Sequence, residues 1–342
     1  MTPDTPNGEA PRATIAAIAE EVGVSVATVS KVLNGRGDVA ADTRNRVEAS
    51  LEAHSYQRRA RRQPPAAGNI ELVFHTLGAD WGMEIIRGVQ AVATAGKVSV
   101  VLSHLDGKYH PTDEWVADLI ARRPLGVLFV ESSLTEAQLS QLNRQRIPIV
   151  VVATDSSTTA SVPTVGSNNW NGGLLAARHL IELGHTRIGV IGGPQEMLGS
   201  QARLAGFRLG LDEAGLRIEP DLLRHGNFYL ETGYLHGMAL LSRSDRPTAI
   251  FAGSDMQAMG VLRAARRVGL DVPRDLSLVG YDNLPLSAWI DPALTTVNQP
   301  LRDMSGTAAR MLLDLTHGIK PAITRIDLVT ELVVRESTAP PR

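Results

Sequence analysis

The chain has 342 residues, 43% hydrophobic and 20% charged, which is too long for one small core and suits two or three domains. It contains no cysteine, so disulfides, thiolate metal sites and a cysteine nucleophile are excluded, and no apolar run approaches the ~18–20 residues of a transmembrane helix. The formal charge of −2 argues against a uniformly basic nucleic-acid binder, and the first residues, Met-Thr-Pro-Asp-Thr-Pro-Asn-Gly-Glu, are polar rather than basic, unlike a signal peptide. A cytoplasmic protein with no membrane partner is expected.

The first segment with a clear pattern is Thr14–Asn34. Thr14 can cap a helix over Ile15–Glu21, Gly23 supplies an unhindered turn, and Ser25 can cap a short second helix. That helix offers small or polar residues on its open side, Val26, Ala27, Thr28, Ser30 and Lys31, while Val22, Val24, Val29 and Val32 can face a small core. A slim helix with a free N-terminus suits a DNA major groove; the competing reading is an ordinary helical hairpin. A turn at Asn34-Gly35-Arg36-Gly37 precedes a third helix from Asp42 or Thr43 to about Ala53, with Val47 and Leu51 inward. Residues 1–63 hold nine Arg plus Lys against eight Asp plus Glu, so the segment is +1 and the remainder −3. Phosphate attraction must therefore come from a local patch: Lys31, Arg36, Arg44, Arg46 and the cluster Arg58, Arg59, Arg61 and Arg62.

Pro64-Pro65-Ala-Ala-Gly68 marks a break. After it, short β-branched runs alternate with helix-length amphipathic stretches. Strands are expected at Ile70–His75, Val98–Leu102, Gly126–Val130 and Ile149–Ala153, all as buried strands, with helices at Gly82–Ala93, Asp113–Ala121 and Thr135–Gln145. The alternation resumes with helices at Gly172–Leu183, Ser200–Ala214, Thr232–Ser242 and Asp255–Val268, and strands at Ile188–Ile191, Ala249–Ala252 and Leu276–Tyr281. Gly184, Gly215 and Gly269 suit left-handed helix caps. This is βαβα order with parallel sheets in two tandem halves. Final strands near Thr295–Val297, Arg325–Val329 and Glu331–Arg335 can cross back between the halves. Such a hinged pair closes on small ligands.

The residues Val22-Gly-Val-Ser-Val-Ala-Thr-Val-Ser30, Leu33-Asn34, Thr43-Arg44 and Tyr56 resemble the head of the lactose-repressor (LacI/GalR) family. So do Leu183-Gly-His185, Arg203-Leu-Ala-Gly-Phe207, Ser254-Asp255, Val279-Gly-Tyr-Asp282, Leu294-Thr-Thr296, Gln299 and Glu331-Leu-Val-Val-Arg335, giving a likeness over residues 13–337. The resemblance implies an all-α helix-turn-helix head at 13–57, a basic linker at 58–68, and a periplasmic-binding-protein-like α/β core at 69–338. The core would comprise two doubly wound parallel-sheet lobes, the first about 69–169 and 300–328, the second about 171–297 and 329–338. It further implies base reading by Val26, Ala27 and Lys31, with Thr28, Ser30 and Asn34 on phosphates or bracing the helix. Arg203 and Asp282 match sugar anchors, a chemistry suited to vicinal hydroxyls. Gln299, Ser254 and Phe228 fall at or near other cleft positions, and Trp81, Trp170 or Trp289 could stack on a sugar face. Asp255 is expected as a helix cap and His185 as a structural turn residue.

Three departures stand out. Ala153 falls where many relatives carry a ligand-contacting Asp; either Thr154 or Asp155 substitutes for it, or the ligand differs. Ser254 falls where Asn is common. Tyr56 is followed by Gln57-Arg58-Arg59, and Pro64-Pro65 stand where relatives wedge a Leu into the minor groove, so the four arginines are expected to hold the linker on DNA by charge. The expected function is a repressor of carbohydrate-use genes that binds a pseudo-palindromic operator as a homodimer and is released by a small sugar. No C-terminal heptad helix follows Arg335, which favours a dimer. A loose likeness to xylose-type regulators suggests a pentose or a plant-polysaccharide fragment. The alternatives are a solute-binding protein, which leaves the head unexplained, and an enzyme, for which no dinucleotide fingerprint, nucleophile elbow, phosphate loop, metal-ligand set or other cofactor motif is present.

Overall fold

The computed structural model describes residues 15–33, 39–54, 68–77, 79–152 and 162–342, in two compact units, 1–66 and 67–342.

The first unit is three helices, α1 (Ile15–Val22), α2 (Val26–Leu33) and α3 (Ala41–Ala53). Ile18, Ala19, Val22, Val29, Val32 and Val47 form its buried core, with Val24 and Leu51 packed against it. The expected valines are all present; Ile18 and Ala19 join them because α1 must show a full apolar stripe to both partners. Gly23 turns the chain with φ +70°, a left-handed conformation that closes α1 against α2. Arg46 on α3 donates to the Val22 carbonyl at 2.5 Å, which satisfies an orphan acceptor at the end of α1.

The second unit contains β1 (Asn69–Phe74), α4 (Ala79–Ala95), β2 (Ser99–His104), α5 (Asp113–Arg122), β3 (Gly126–Val130), α6 (Glu136–Arg144), β4 (Ile149–Val152) and β5 (Thr164–Ser167). There follow α7 (Asn169–Glu182), β6 (Ile188–Gly192), α8 (Leu198–Glu213), β7 (Leu223–His225), α9 (Leu230–Leu241), β8 (Ala249–Ala252), α10 (Asp255–Arg267), β9 (Ser277–Asp282), β10 (Thr295–Asn298), α11 (Leu301–Thr316), β11 (Arg325–Leu328) and β12 (Glu331–Val333). The strands form two six-stranded sheets, ordered β11-β5-β4-β3-β1-β2 and β12-β10-β9-β8-β6-β7. Every pairing is parallel except β10 with β12. Each lobe thus repeats one doubly wound order, whose crevice lies outside the carboxyl ends of the strands. The chain passes between lobes after β5, after β10 and between β11 and β12.

Gly184, Gly215 and Gly269 have φ of +94°, +70° and +77°, the left-handed caps expected of them. Two expectations need correction. The strand read at Val98–Leu102 is not buried: β2 is the sheet edge, with Val101 38% and Leu102 45% exposed. Composition cannot distinguish an apolar edge strand from a central one. Between the strands expected near Thr295–Val297 and Arg325–Val329 no helix was expected, yet α11 occupies Leu301–Thr316, and its Leu301, Met304, Ala308 and Leu312 complete the first lobe's core. The short strands β5 and β7 were also not anticipated.

Helix pairs approach through glycine. An added Cβ on Gly173 of α7 would stand 2.8 Å from the Arg203 carbonyl carbon, and one on Gly206 of α8 would stand 2.8 Å from that of Trp170. Gly260 of α10 meets α9 in the same way, 2.8 Å from the carbonyl carbon of Gly233, and Gly88 of α4 lies against Arg302 of α11. These backbones touch without side chains between them, which fixes α8 and its Arg203 relative to α7.

Candidate functional site

In the head, Ser25 accepts from the Thr28 amide at 3.1 Å, and its hydroxyl lies 2.9 Å from that of Thr28. This is an N-cap, and it opens α2 toward solvent with Val26 51% exposed, Ala27 exposed, and Thr28 and Lys31 half-buried. Arg44, also half-buried, lies in the second turn of α3. Thr14, Asn34, Tyr56, Arg58, Arg59, Arg61, Arg62 and the side chain of Ser30 lie outside the described residues, as do Ala153, Thr154 and Asp155.

In the core, the carboxyl ends of both sheets face a cleft. His75 follows β1, Glu131 follows β3, Phe228 and Tyr229 follow β7, Ser254 follows β8, Asp282 ends β9 and Gln299 follows β10. Two connected chambers of about 240 and 250 Å3 fill it. Tyr109, Glu131, Met197, Arg203 and Phe228 line both. The Tyr109 hydroxyl reaches Met197 Sδ across the cleft at 3.7 Å.

Arg203 is the centre of the second lobe's face. Its guanidinium lies 3.7 Å from the Tyr281 ring centroid and 5.3 Å from that of Phe228. Nε donates to Asn169 Oδ1 at 2.8 Å, Nη1 to the Gly253 carbonyl at 2.6 Å, and Nη2 to Gln299 Oε1 at 3.3 Å. Asp282 sits 3.7 Å from Nη1 and is only 6% exposed. Arg203 and Asp282, the two residues expected to act together, are thus side by side on the cleft. Asn169, at the start of α7, also accepts from the Tyr281 hydroxyl at 3.2 Å.

Gln299 and Ser254 serve the cleft walls. Gln299 Nε2 donates to Ser167 Oγ at 2.9 Å, joining β5 to β10. Ser254 Oγ accepts from the Gln257 amide at 3.1 Å and donates to the Phe228 carbonyl at 2.7 Å. It is Ser254, and not the expected Asp255, that caps α10. Its second bond holds Phe228, whose φ is +69°, with the ring over Gly193, where any Cβ would collide with it. Asp255 instead accepts from the Leu284 amide at 2.7 Å and the Thr296 hydroxyl at 2.5 Å, pinning the chain that returns from β9. His185 is structural as expected: it lies between Thr248 and the Ala339 carbonyl, each 2.9 Å away.

Burial sets the electrostatics. It pushes the Asp282 carboxyl up to about 7, against the opposing pull of Arg203 and a backbone hydrogen bond. It also raises Asp255 well above the carboxylate range, helped by the charge of Asp282. The two titrate as a pair. Burial lowers His75, so that imidazole is held neutral.

Trp81 lines the chamber that contains Asp282. Trp170, 42% exposed, and Trp289, 85% exposed, line neither chamber. Sequence reasoning missed His75, Tyr109, Glu131, Asn169 and Met197. His75 and Glu131 were discoverable, since each lies at or just past the carboxyl end of an expected strand; Tyr109 and Met197 sit deeper in loops that carry no such signal.

A family model described as "Bacterial regulatory proteins, lacI family" matches residues 14–59, and one for a periplasmic binding protein-like domain matches residues 177–338. The regulator MalR of Streptomyces coelicolor is 36% identical over 335 residues, covering 95% of this chain and 96% of that protein. A solved complex of the transcriptional regulator CelR with cellobiose superposes with a TM-score of 0.72 at 30% identity, covering 95% of this chain and all of the other. The lac repressor dimer bound to operator and an anti-inducer superposes at 0.67 with 27% identity, covering 96% and 99%. Among the described residues no helix is long and apolar enough to cross a membrane. With its capped helix-turn-helix head and two-lobe ligand cleft, the chain belongs to the LacI family of DNA-binding transcriptional regulators.

Proposed function

We propose that this regulator represses carbohydrate-use genes in the cytoplasm, holding a pseudo-palindromic operator as a homodimer and releasing it when a small sugar binds between the lobes. The observation that carries the reading is Arg203, stacked on Tyr281 at 3.7 Å and set beside the buried Asp282 on the floor of a two-chambered cleft. A guanidinium and a carboxyl side by side match the donors and acceptors of adjacent hydroxyls. Trp81 and Phe228 give the same chamber apolar faces that suit the C–H side of a sugar ring. Its volume with the neighbouring chamber falls within the roughly 300–1,000 Å3 of small-molecule sites.

On the DNA side, Val26 and Ala27 offer apolar contacts suited to a thymine methyl, and Lys31 can donate to a guanine edge. Thr28, Ser30, Asn34 and Arg44 serve phosphates, with Thr14 capping the first helix. Tyr56 and the arginines at 58, 59, 61 and 62 serve the linker. In the core, Asp155 stands in for the Asp that Ala153 lacks. The xylose-type subgroup is the finer reading, so xylose and xylan fragments head the ligand panel. Sugar binding favours one lobe arrangement and weakens DNA binding by ~1–3 kcal/mol of coupling.

The test is fluorescence anisotropy at near-physiological salt, with DNA from upstream of the protein's own gene against a scrambled duplex. The expected preference is ~10³-fold or more, lost on adding one sugar and retained when Arg203→Ala meets the same sugar. Absence of any preference sinks the repressor reading; full release of the Arg203→Ala variant sinks the assignment of the anchor.

A further inference from the structure

We propose that the first lobe carries a second DNA-contacting surface. It is the edge of the sheet opposite the cleft, where Lys97, Arg123, Arg144, Arg146 and Lys320 grip phosphates of the duplex that the head holds. This goes beyond the reading above, which places every DNA contact in the head and linker.

All pairings in that sheet are parallel, so its six strands begin along one edge. Lys97 precedes β2, Arg123 precedes β3, Arg144 and Arg146 precede β4, and Lys320 lies in the loop leading to β11. Strands about 4.8 Å apart spread this row over ~24 Å, a length that matches about seven base pairs of one DNA strand. All five side chains are exposed, and among the described residues none is in ion-pair reach of an acid. The acids nearby are few. Glu71 is buried and held by Arg122, Asp327 pairs with Arg325, and only Asp118 on α5 and Asp314 on α11 stand exposed near the helix ends. Arg123 and Arg146 line one depression of about 570 Å3 between the ends of α5 and α6.

The second lobe shows that the fold does not impose this. Its sheet has the equivalent strand order, and three arginines stand at the corresponding edge, each between two acids. Arg187 meets Glu219 and Asp245, Arg243 meets Asp221 and Asp245, and Arg274 meets Asp271 and Asp275. The backbone differs as well. Gly184, Gly215 and Gly269 take the left-handed turns after α7, α8 and α10; after α4, α5 and α6 the left-handed residues are Lys97, Arg123 and Arg146, with φ of +55°, +51° and +56°. Glycine adopts this conformation freely and a side chain only under strain. A cation near a helix C-terminus gains from the macrodipole, but a helical position in the last turn offers that gain without strain.

The tether brings this edge to DNA. Asn69 opens β1 between β3 and β2, and fifteen residues join it to Ala53, the end of α3, a reach of at most ~55 Å. Once the head is bound, the edge meets phosphates at high effective concentration, so individually weak contacts add affinity.

The test uses the full-length protein with Lys97→Gly, Arg123→Gly and Arg146→Gly combined. Glycine suits all three backbones, so the melting temperature should not fall. In anisotropy titrations between 50 and 200 mM salt, the variant should lose at least ~10-fold in affinity for both upstream DNA and a scrambled duplex. Its salt slope should fall by ~2–3 per protomer, since each phosphate contact contributes about 0.9. If the triple variant melts early, Arg144→Gln/Lys320→Gln is read instead, with a fall of ~1–2. An unchanged slope, or a loss confined to the operator, overturns the phosphate role. Proximity is read separately. The chain has no cysteine, so Arg144→Cys accepts an iron chelate at one point, which should cut the bound duplex; the same chelate on Arg274→Cys in the second lobe should not. No cutting from position 144, or equal cutting from both, while operator binding persists overturns the surface and leaves the head's role intact.

Discussion

Replacing Gly206 by alanine separates two opposite expectations. Helix propensity favours the change, because alanine in a helix interior is up to about 1 kcal/mol better than glycine. The packing of α7 on α8 reverses the sign. The new Cβ would overlap the Trp170 carbonyl oxygen and lie 2.8 Å from its carbon and 3.0 Å from the Leu174 nitrogen, where 3.4 Å is an ordinary contact. Both neighbours are backbone, so relief requires the helices to part by more than half an ångström. Overpacking of this kind costs about 1–3 kcal/mol or more. After the propensity gain, a net loss of about 2 kcal/mol should lower the melting temperature by about 4–8 °C for a unit of this size. Arg203, one turn earlier on α8, would move with the helix, stretching its 2.8 Å bond to Asn169 on α7. Calorimetric melting and sugar titration should therefore show a less stable core with weaker effector binding, while specific operator binding in the absence of sugar is retained. A variant that melts at or above the wild-type temperature with unchanged sugar affinity would refute the reasoning.

Further predictions concern other parts of the chain. Ser25→Ala removes the cap of α2 and should destabilise the head by about 1 kcal/mol; hydrogen exchange at the α2 amides should accelerate, and unchanged protection would remove the cap from the account. Lys31→Ala should weaken specific operator binding by about 1–3 kcal/mol and relax preference at a single base position; a uniform loss across all sequences would reassign Lys31 to phosphate. Asp282 titrates near 7 in the fold and near 3.8 when free, so its stabilisation is complete below about pH 4 and is lost as the pH rises through about 7. Asp282→Asn cannot ionise, and the stability of this variant relative to wild type should climb from pH 5 to pH 8. A difference that stays flat would place the Asp282 carboxyl at its ordinary value.

Legibility tracked the range of the interaction that fixes each feature. Local rules sufficed for the head: the cap at Ser25, the left-handed turn at Gly23 and the valine stripe are encoded within about twenty residues. The same holds for the alternating strands and helices and for the caps at Gly184, Gly215 and Gly269. Local rules failed at β2, since whether a strand has a neighbour on both sides is a property of the sheet. They failed at α11, where Gly306 and Thr307 interrupt the helical signal and burial against the first lobe restores it.

The anchor divides in the same way. Arg203 and Asp282 could be named from their motifs, but nothing in those motifs tells that Asn169, Gly253 and Gln299 accept three of the guanidinium's five N–H bonds, or that Ser254 caps α10 while Asp255 secures the segment after β9. Those residues, from Asn169 to Gln299, are up to 130 positions apart in the chain and meet only at the carboxyl ends of two sheets. The sequence by itself determined the two-part architecture, the helix-turn-helix and the residues able to hold hydroxyl groups, because periodicity, capping and side-chain chemistry are local. Only the tertiary structure decided the size, wall chemistry and charge of the cleft, because these arise where Glu131, Tyr109, Met197 and Arg203, from separate loops and helices, are brought to face one another.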